Sequence, residues 1–415
     1  MRLWLAILFT CIIHTGIAQV AGCTDPLASN YNAAATINNG SCVYNSSSYT
    51  APVKLNPFSD SLVEGSGLQM ADGHLWSFND GGGGPVLYRI DTSTGQIVQR
   101  VLLAGTTNTD WEDIAFDGSN LYIADAGNNY NGARTNLKLY KLPLAAIPNY
   151  QASPVAVIAQ AQIEVLEFIY SNQPQPPVAG SANSTRFDCE AIIADHNSIH
   201  LFTKNWADNN TIHYRINGTT AGQYIATPVD TLASGYLVTA ADKVPGQDIV
   251  VLLGYQNSGT GRHYLSILSN YNADAYFSGN IRKIDLPDAT QMGQAEGLCF
   301  TAGKQGFISN EQFNYAAGSF LFTVNQQLRW MDLSNFVNDY FTQYVFTGSG
   351  NWSDASNWKN NQPPPARLSA GNSIVINPTG TGYCILDIAY TLPPQVSLTI
   401  AAGKNLQIMG QLLLQ

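Results

Sequence analysis

Residues 110–129 spell "DWEDIAFDGSNLYIADAGNN", two short apolar segments joined by a turn sequence. Asp110, Glu112 and Asp113 lie at the start of the first segment, and Asp125 closes the second. Alternating apolar residues on both sides of a Gly- and Asp-containing turn are typical of a β-hairpin. A hairpin does not need acids at its open end, so their position raises the question of a binding site.

Related units recur between residues 49 and 340. Four of them begin with a glutamate: "EGSGLQ" from Glu64, "EDIAFD" from Glu112, "EAIIAD" from Glu190 and "EGLCFT" from Glu296. A fifth, "LVTAAD" (237–242), has Thr239 at the place of the glutamate. Repeated units of short strands separated by turns predict an all-β fold and a five-bladed β-propeller, which closes its sheets into a ring. Six blades stay open if residues 146–186 contain a blade without the motif, and the strand near residues 51–57 is a candidate to complete the last blade.

The first strand of each blade lines the axis of a propeller, so residues at equivalent places form a ring. We expect metal ligands in such a ring at Glu64, Glu112, Glu190 and Glu296, and candidates for catalysis at Glu112, Glu190 and Glu296. The ends of the second strands and the following loops add polar residues at the same rim. The resulting candidates for ligand binding are Asp80, Glu112, Asp125, Asn128, Arg134, Glu190, Lys204 and Glu311.

Clustered carboxylates raise one another's pKa unless something offsets their charge. Calcium, which takes six to eight oxygen ligands, is one solution, and ion pairs with Lys204 or Arg134 are another. General acid–base work by a protonated carboxyl next to an ionised one is a third. A structural alternative is that the repeated acids brace neighbouring blades by accepting backbone N–H bonds.

Composition narrows the function classes. The chain has 19 basic and 29 acidic residues, a formal net charge of −10, and only 12% charged residues. This balance argues against nucleic acid or an anionic membrane surface as a partner. Neither a Cys/His spacing typical of zinc sites nor a Gly-x-Ser-x-Gly elbow occurs in the sequence. "HNSIH" (196–200) lacks the companion glutamate of a zinc protease, which favours two ordinary histidines.

The ends of the chain predict export and accessory modules. Residues 1–18 have the pattern of a secretory signal peptide, and no later segment is long and apolar enough for a membrane helix. "VAGC" before Cys23 leaves a lipid anchor at that cysteine as an alternative. The module at 19–48 contains Cys23 and Cys42, which we expect to form a disulfide in an exported chain. A Cys189–Cys299 disulfide is a further option if those strands approach, and Cys384 is the expected free thiol.

Two resemblances add to these expectations. "GCTDPLASNYNAAATINNGSCVY" (22–44) resembles a short module of secreted and surface proteins of gliding Gram-negative bacteria, although Asn38 and Asn39 replace its usual acidic pair. The Trp352/Trp358 pair and the alternating strands of residues 341–415 resemble an adhesin- or solenoid-like β-rich segment.

The motifs "LWSFNDGGG", "DWEDIAFDGSNLYIADAGNN", "DCEAI", "LFTKNW" and "GFISNE" are similar to those of SdiA-regulated and esterase-like phytase propellers. That resemblance implies an exported propeller with acids near its axis, and only loosely calcium and phosphoester hydrolysis. Three hypotheses follow: a surface-attached or secreted binder of an extracellular polymer or surface protein, a phosphoesterase or glycosidase using the glutamates, and a purely structural surface module.

Overall fold

The computed structural model describes residues 19–318, 320–366, 368 and 371–414 of the chain. The predicted signal peptide (1–18) lies outside the described residues. Among the described residues, no helix is long and apolar enough to cross a membrane.

The N-terminal module is held by the predicted disulfide, Cys23–Cys42. Its two short strands, β1 (Ala21–Gly22) and β2 (Ile37–Asn38), pair in parallel. The module also contacts the propeller, because the Asn38 side-chain amide donates to Asn280 Oδ1 at 2.9 Å. The next strand, β3 (Val53–Leu55), already belongs to the propeller.

Residues 53–332 form five blades of four strands each, as the repeat predicts. Blade 1 contains β4 (Gly65–Ala71), β5 (His74–Asn79), β6 (Val86–Ile90) and β7 (Ile97–Leu103). Blade 2 contains β8 (Trp111–Phe116), β9 (Asn120–Asp125), β10 (Lys138–Pro143) and, after β11 (Val155–Ile158), β12 (Glu164–Tyr170). Blade 3 contains β13 (Cys189–Asp195), β14 (Ser198–Thr203), β15 (Thr211–Asn217) and β16 (Gly222–Leu232).

Blade 4 contains β17 (Leu237–Lys243), β18 (Ile249–Tyr255), β19 (Arg262–Ser269) and β20 (Asn280–Asp288), followed by the short helix α1 (Ala289–Met292). Blade 5 contains β21 (Gln294–Ala302), β22 (Gln305–Glu311), β25 (Leu328–Asp332) and β3. A hairpin of β23 (Phe313–Ala317) and β24 (Phe320–Val324) is inserted between β22 and β25.

The ring is closed by the N-terminal strand and by apolar packing between all neighbouring blades. β3 pairs with β25 antiparallel, with Leu55 opposite Leu328. Five buried apolar clusters lie between blades 1 and 2, 2 and 3, 3 and 4, 4 and 5, and 5 and 1. Each inner strand packs on the next, in the order β4, β8, β13, β17, β21 and back to β4. The fold is therefore a five-bladed propeller.

Residues 146–186, in which a sixth blade was possible, instead add strands to blades 1 and 2. Within residues 146–186, β11 pairs in parallel with β7 at the edge of blade 1, and β12 is the outer strand of blade 2. β12 also pairs in parallel with β16, so blades 2 and 3 share one eight-stranded sheet.

Two buried aspartates brace neighbouring blades. Asp113 of blade 2 accepts a hydrogen bond from the Ile192 N–H of blade 3 at 2.8 Å. Asp242 of blade 4 accepts one from the Phe300 N–H of blade 5 at 2.7 Å. In blades 2 and 4, Asp113 and Asp242 therefore provide the bracing that was expected of the repeated glutamates. Asp113 directly follows Glu112 in the sequence.

The three buried thiols of the described chain are free. Cys189 lies in the cluster between blades 2 and 3, whereas Cys299 lies in the cluster between blades 5 and 1. The optional Cys189–Cys299 disulfide is therefore wrong, because the two side chains face different interfaces. Cys384 is free, as expected, and lies in the C-terminal core.

The C-terminal segment is a stack of three short parallel sheets, the arrangement of a β-solenoid. The strands are β26 (Gln343–Phe346), β27 (Gly350–Asn351), β28 (Ser373–Ile376), β29 (Cys384–Leu386), β30 (Ala389–Leu392), β31 (Ser397–Ile400), β32 (Leu406–Ile408) and β33 (Gln411–Leu414). Parallel pairing joins β26, β28 and β31, then β27, β29 and β32, and finally β30 and β33. Trp352 and Trp358 pack edge to face inside, with ring centroids 4.8 Å apart. Single 3₁₀ turns occur at Leu144–Ala146, Gln160–Gln162, Tyr276–Ser278, Ala355–Asn357 and Lys359–Asn361.

Candidate functional site

The inner two strands of each blade bring the start of one strand next to the end of the other. In blade 2, Trp111 at the start of β8 is opposite Asp125 at the end of β9. All five inner strands have a register shift near this end. Such a bulge leaves one residue out of the ladder and re-aims its side chain. Glu190, Thr239 and Glu296 are the residues skipped in their blades, and Glu112 lies within the corresponding shift.

Acids from four blades come together at this end of the axis. We call the set formed by Asp80, Asp110, Glu112, Asp188, Glu190, Glu296, Glu311 and Lys204 the axial acidic centre. It contains two groups of three carboxylates, in each of which one oxygen per residue lies within 4.8 Å of the others. The outer group is Asp80, Asp110 and Glu112, and the inner group is Glu112, Asp188 and Glu190.

The outer group is half-buried and shaped by two glycines. A Cβ at Gly127 would lie 1.9 Å from Glu112 Oε1 and 2.4 Å from Asp110 Oδ2. A Cβ at Gly81 would lie 2.6 Å from Asp110 Oδ1. Both glycines are therefore needed for the Asp110 carboxylate to fit between the loops. Gly81 belongs to the "GGGG" loop (81–84), which lies at this rim.

The inner group is fully buried, and its members differ in how they are held. Asp188 accepts hydrogen bonds from the Asn128 N–H and from Trp206 Nε1, the latter at 2.7 Å. Glu190 accepts from Lys204 Nζ at 3.0 Å. Glu112 is 3% exposed, and its carboxylate accepts no hydrogen bond from any residue that the structure describes. Among the described residues, the Lys204 ammonium attracts the Glu112 charge, but its ion pairs are with Glu190 and Glu296.

Lys204 is the cation of the centre. Its ammonium lies 3.0 Å from Glu190 Oε2 and 3.5 Å from Glu296 Oε1. It also lies over the rings of Trp206 and Tyr255, at 5.2 and 5.4 Å from their centroids. Two carboxylates and two aromatic faces thus surround one buried ammonium.

Glu296 and Glu311 complete the centre from blade 5. Glu296 Oε1 accepts hydrogen bonds from Gln294 at 2.7 Å and from the Tyr255 hydroxyl at 3.3 Å. Glu311 Oε1 is buried without a hydrogen-bond partner among the described residues. Burial next to Glu296 and Asp80 raises the pKa of Glu311 well above its usual value.

A second ion pair, between Arg134 and Asp125, lies next to the outer group. Arg134 Nη2 lies 2.7 Å from Asp125 Oδ1, and the same guanidinium donates to the Gly127 carbonyl at 2.6 Å. Asn128 Oδ1 accepts from the Arg134 N–H at 3.0 Å. Asp125, Asn128 and Arg134 therefore hold the loop that carries Gly127, and the structure assigns them to the frame around the outer group.

The electrostatics of the centre follow from burying many acids with one cation. Burial, together with Glu190 and other neighbouring acids, raises the pKa of Glu112 well above its usual value. Burial, with Glu296 nearby, raises the pKa of Asp80 to about 7, and burial, with Asp188 nearby, raises that of Asp110 to about 6. Burial lowers the pKa of Lys204, but the adjacent carboxylates outweigh it and raise that pKa overall. Without a further cation, the centre therefore holds protons near neutral pH.

One predicted ring member lies elsewhere. The register aligns Gly65 with Trp111, which makes Glu64 the counterpart of Asp110, two residues before the Glu112 position. Its side chain is exposed and belongs to neither carboxylate group. The prediction that Glu64 belongs to the ring is therefore wrong. Thr239 stands at the fifth place, but its hydroxyl donates to the Ala295 carbonyl at 2.8 Å and links blades 4 and 5.

The candidate site residues predicted from the sequence did not include Asp110, although its position had raised the question of a site, nor Asp188, Tyr255 and Trp206. The signal for two of them was present, since "DWE" and "DCE" both place an aspartate two residues before the ring glutamate. Blade 5 has "QAE" at the same place, and Gln294 also contacts the ring glutamate.

The histidines of "HNSIH" form no metal group among the described residues. His200 is buried and hydrogen-bonded to His213, at 2.8 Å between Nδ1 and Nε2. His196 lies in the turn before β14, with its Nδ1 3.0 Å from Asp195.

The fold and the site together define a five-bladed β-propeller with a buried acidic centre at one end of its axis. No protein-family model matches the chain, and no curated protein sequence matches it. Among solved structures it is similar to the PQQ-bound aldose sugar dehydrogenase of Streptomyces coelicolor, with 10% identity over 68% of this chain and 97% of that one and a TM-score of 0.35. It is also similar to the hydrazine synthase of Kuenenia stuttgartiensis, with 12% identity over 70% and 72% of the two chains and a TM-score of 0.33. Similarity at this level says nothing about ligands.

Proposed function

We propose that this protein binds a divalent cation, Ca²⁺, in the inner group of the axial acidic centre and that the occupied centre binds an extracellular ligand. The observation that carries the proposal is Glu112, a buried carboxylate that receives no hydrogen bond from the described residues and is shared by two groups of carboxylates. A buried charge of this kind is costly unless it is protonated or paired with a cation.

The chemistry of the ligands favours calcium. The inner group offers only carboxylate oxygens, from Glu112, Asp188 and Glu190. Hard cations take oxygen ligands, and calcium tolerates irregular sites with six to eight of them, whereas zinc prefers the nitrogen and sulfur of His and Cys. Calcium is also the hard divalent cation expected for an exported chain.

The ligand is an extracellular polymer or a surface protein. The signal peptide predicted at 1–18 and the disulfide module support export to the medium or the cell surface, with a lipid anchor at Cys23 as an alternative. The resemblance of the module to surface proteins of gliding Gram-negative bacteria, and of the propeller to exported SdiA-regulated and esterase-like phytase propellers, also supports this location. Asp80 and Asp110 are half-buried, so they are the members of the two carboxylate groups that a ligand would meet first.

Calorimetry of the full chain tests the cation. If calcium binds only the folded state, a concentration of about 100 times Kd stabilises it by about 2.7 kcal/mol. At roughly 2 °C per kcal/mol for a domain of this size, the Tm rises by roughly 5 °C over that in EGTA. Glu112→Gln removes the rise, and the exposed Glu64→Gln is the matched control that retains it. A Tm that millimolar calcium leaves unchanged refutes the proposal.

Hydrolysis is the second candidate function, and the partial exposure of Asp80 and Asp110 favours it. A cation with an open coordination position would suit a phosphoester, and two carboxyl groups at glycosidase spacing would suit a glycoside. Chromogenic phosphoesters and glycosides, assayed with calcium and with EGTA, separate the two. Turnover that Glu190→Gln abolishes supports an enzyme, and calcium binding without turnover supports a binder. If Glu112→Gln only lowers the Tm and calcium has no effect, a purely structural role is the remaining alternative.

A further inference from the structure

Five carboxylates of the centre form two overlapping groups rather than one. Calcium–oxygen distances of 2.3–2.6 Å keep the ligands of a single ion within about 5 Å of one another. Each group meets this limit, with its oxygens within 4.8 Å. Within the described part of the chain, however, the five carboxylates do not combine into a single group at that distance, and Glu112 is their shared member.

The outer group has the shape of a site in its own right. Gly81 lies against the Asp110 carboxylate, and Gly127 lies against those of Glu112 and Asp110. Neither position has room for a side chain. Glu112 is 3% exposed and points into this space without a hydrogen-bond donor from the described residues. An arrangement that forces unpartnered carboxylates together, and removes the side chains that would separate them, is suited to a cation between them.

The charge of the whole centre supports the same conclusion. It has seven carboxyl groups and one ammonium, that of Lys204, and so six negative charges net when all the acids are ionised. One divalent cation in the inner group would leave four of these charges. A second divalent cation would leave two negative charges. Lys204 cannot neutralise more of them, because its ammonium already pairs with Glu190 and Glu296.

We infer that the axial acidic centre holds two divalent cations, one in each group, with the Glu112 carboxylate bridging them. The inference rests on the proposed function and adds the outer site to it. The inner cation is enclosed by Glu112, Asp188 and Glu190, all buried. The outer cation lies at the half-buried Asp80 and Asp110, so its remaining coordination positions face the mouth of the centre and can take oxygens of the ligand.

Isothermal titration of calcium into the full chain distinguishes the cases, because stoichiometry separates one site from two. The expected result is two ions per chain for the unmodified protein and for Glu64→Gln. Asp80→Asn should bind one ion, and Asp110→Asn is a second variant of the same site with the same expectation. Glu112→Gln, which removes the bridge, should weaken binding at both sites by 10-fold or more.

The outcomes have separate meanings. Two ions that fall to one in Asp80→Asn and Asp110→Asn support the outer site. One ion in the unmodified protein, or two ions retained in both aspartate variants, overturns the second site and leaves the proposed function intact. No calcium binding at all refutes both. Circular dichroism of each variant checks that a lost site is not lost folding.

Discussion

Replacing Lys204 by methionine tests whether the axial centre depends on its single buried cation. The change keeps an unbranched side chain one atom shorter and removes an ammonium that contacts Glu190 and Glu296. Breaking a buried ion pair by removing one partner costs about 3–5 kcal/mol, because the other charge stays buried and unpaired. At roughly 2 °C per kcal/mol, the Tm at pH 8 in EGTA should fall by roughly 6–10 °C.

Lys141→Met is the matched control. Lys141 Nζ lies 3.0 Å from Glu164 Oε1, the same distance as in the Lys204–Glu190 pair. The Glu164 side chain is 38% exposed, however, compared with 3% for Glu190. A pair exposed to that extent contributes only about 0–1 kcal/mol, so the control should lose roughly 2 °C or less.

Two further measurements follow from the same variant. Lowering the pH to 5 should shrink the deficit of Lys204→Met, because the released carboxyl groups take up protons. Calcium should raise the Tm of the variant by more than that of the unmodified protein, since Glu190 and Glu296 then lack their internal cation. A Tm within 1 °C of the unmodified protein at pH 8 in EGTA, or an equal loss in Lys141→Met, would contradict this account of the centre.

Three other predictions concern single residues. Burial raises the pKa of Asp242 to about 7, above its usual value near 3.9, so the folded chain holds a proton between about pH 4 and 7 that the unfolded chain lacks. This proton contributes up to about 4 kcal/mol to the free energy of unfolding; the contribution is complete below pH 4 and is lost as the pH rises through 7. The free energy of unfolding measured with urea should therefore be lower at pH 8 than at pH 5, and Asp242→Asn should reduce that difference. Gly127→Ala should reduce calcium affinity by 10-fold or more in titration calorimetry, because its Cβ would lie 1.9 Å from Glu112 Oε1, whereas Gly84→Ala in the neighbouring loop should not. Cys42→Ser should make the N-terminal module sensitive to protease while the calorimetric Tm of the propeller changes by less than about 2 °C; a loss of the whole fold would contradict that independence.

The blade count could be predicted because the repeat is carried by local signals. Each unit combines alternating apolar residues with a turn, and both depend on neighbours in the sequence. The pairing of β12 with β16 had no such signal, since parallel outer strands of two blades meet only when the ring forms. The same applies to β11. Its sequence allowed a sixth blade, whereas in the structure it is an extra strand at the edge of blade 1.

The site was predicted in part, and the errors have a physical origin. Glu112, Glu190 and Glu296 lie at the axis because the bulge in each inner strand aims them there. Glu64 was placed in the ring because "EGSG" begins like the other units, although the hairpin register of blade 1 shifts it by two residues. Sequence similarity fixes a residue type, whereas strand register determines the direction of its side chain.

The pairing of β3 with β25 sets an order for folding. The chain is synthesised from its N-terminus, so Val53–Leu55 must wait for Leu328–Asp332 before the last blade has its fourth strand. Contacts so distant in sequence slow folding, and until they form, blade 5 exposes an unpaired edge that can pair with another chain. Keeping the chain unfolded until its synthesis is complete would avoid that hazard, and export directed by the signal peptide predicted at 1–18 would impose this condition. The closure of the ring thus links the topology of this propeller to the time at which its last blade can form.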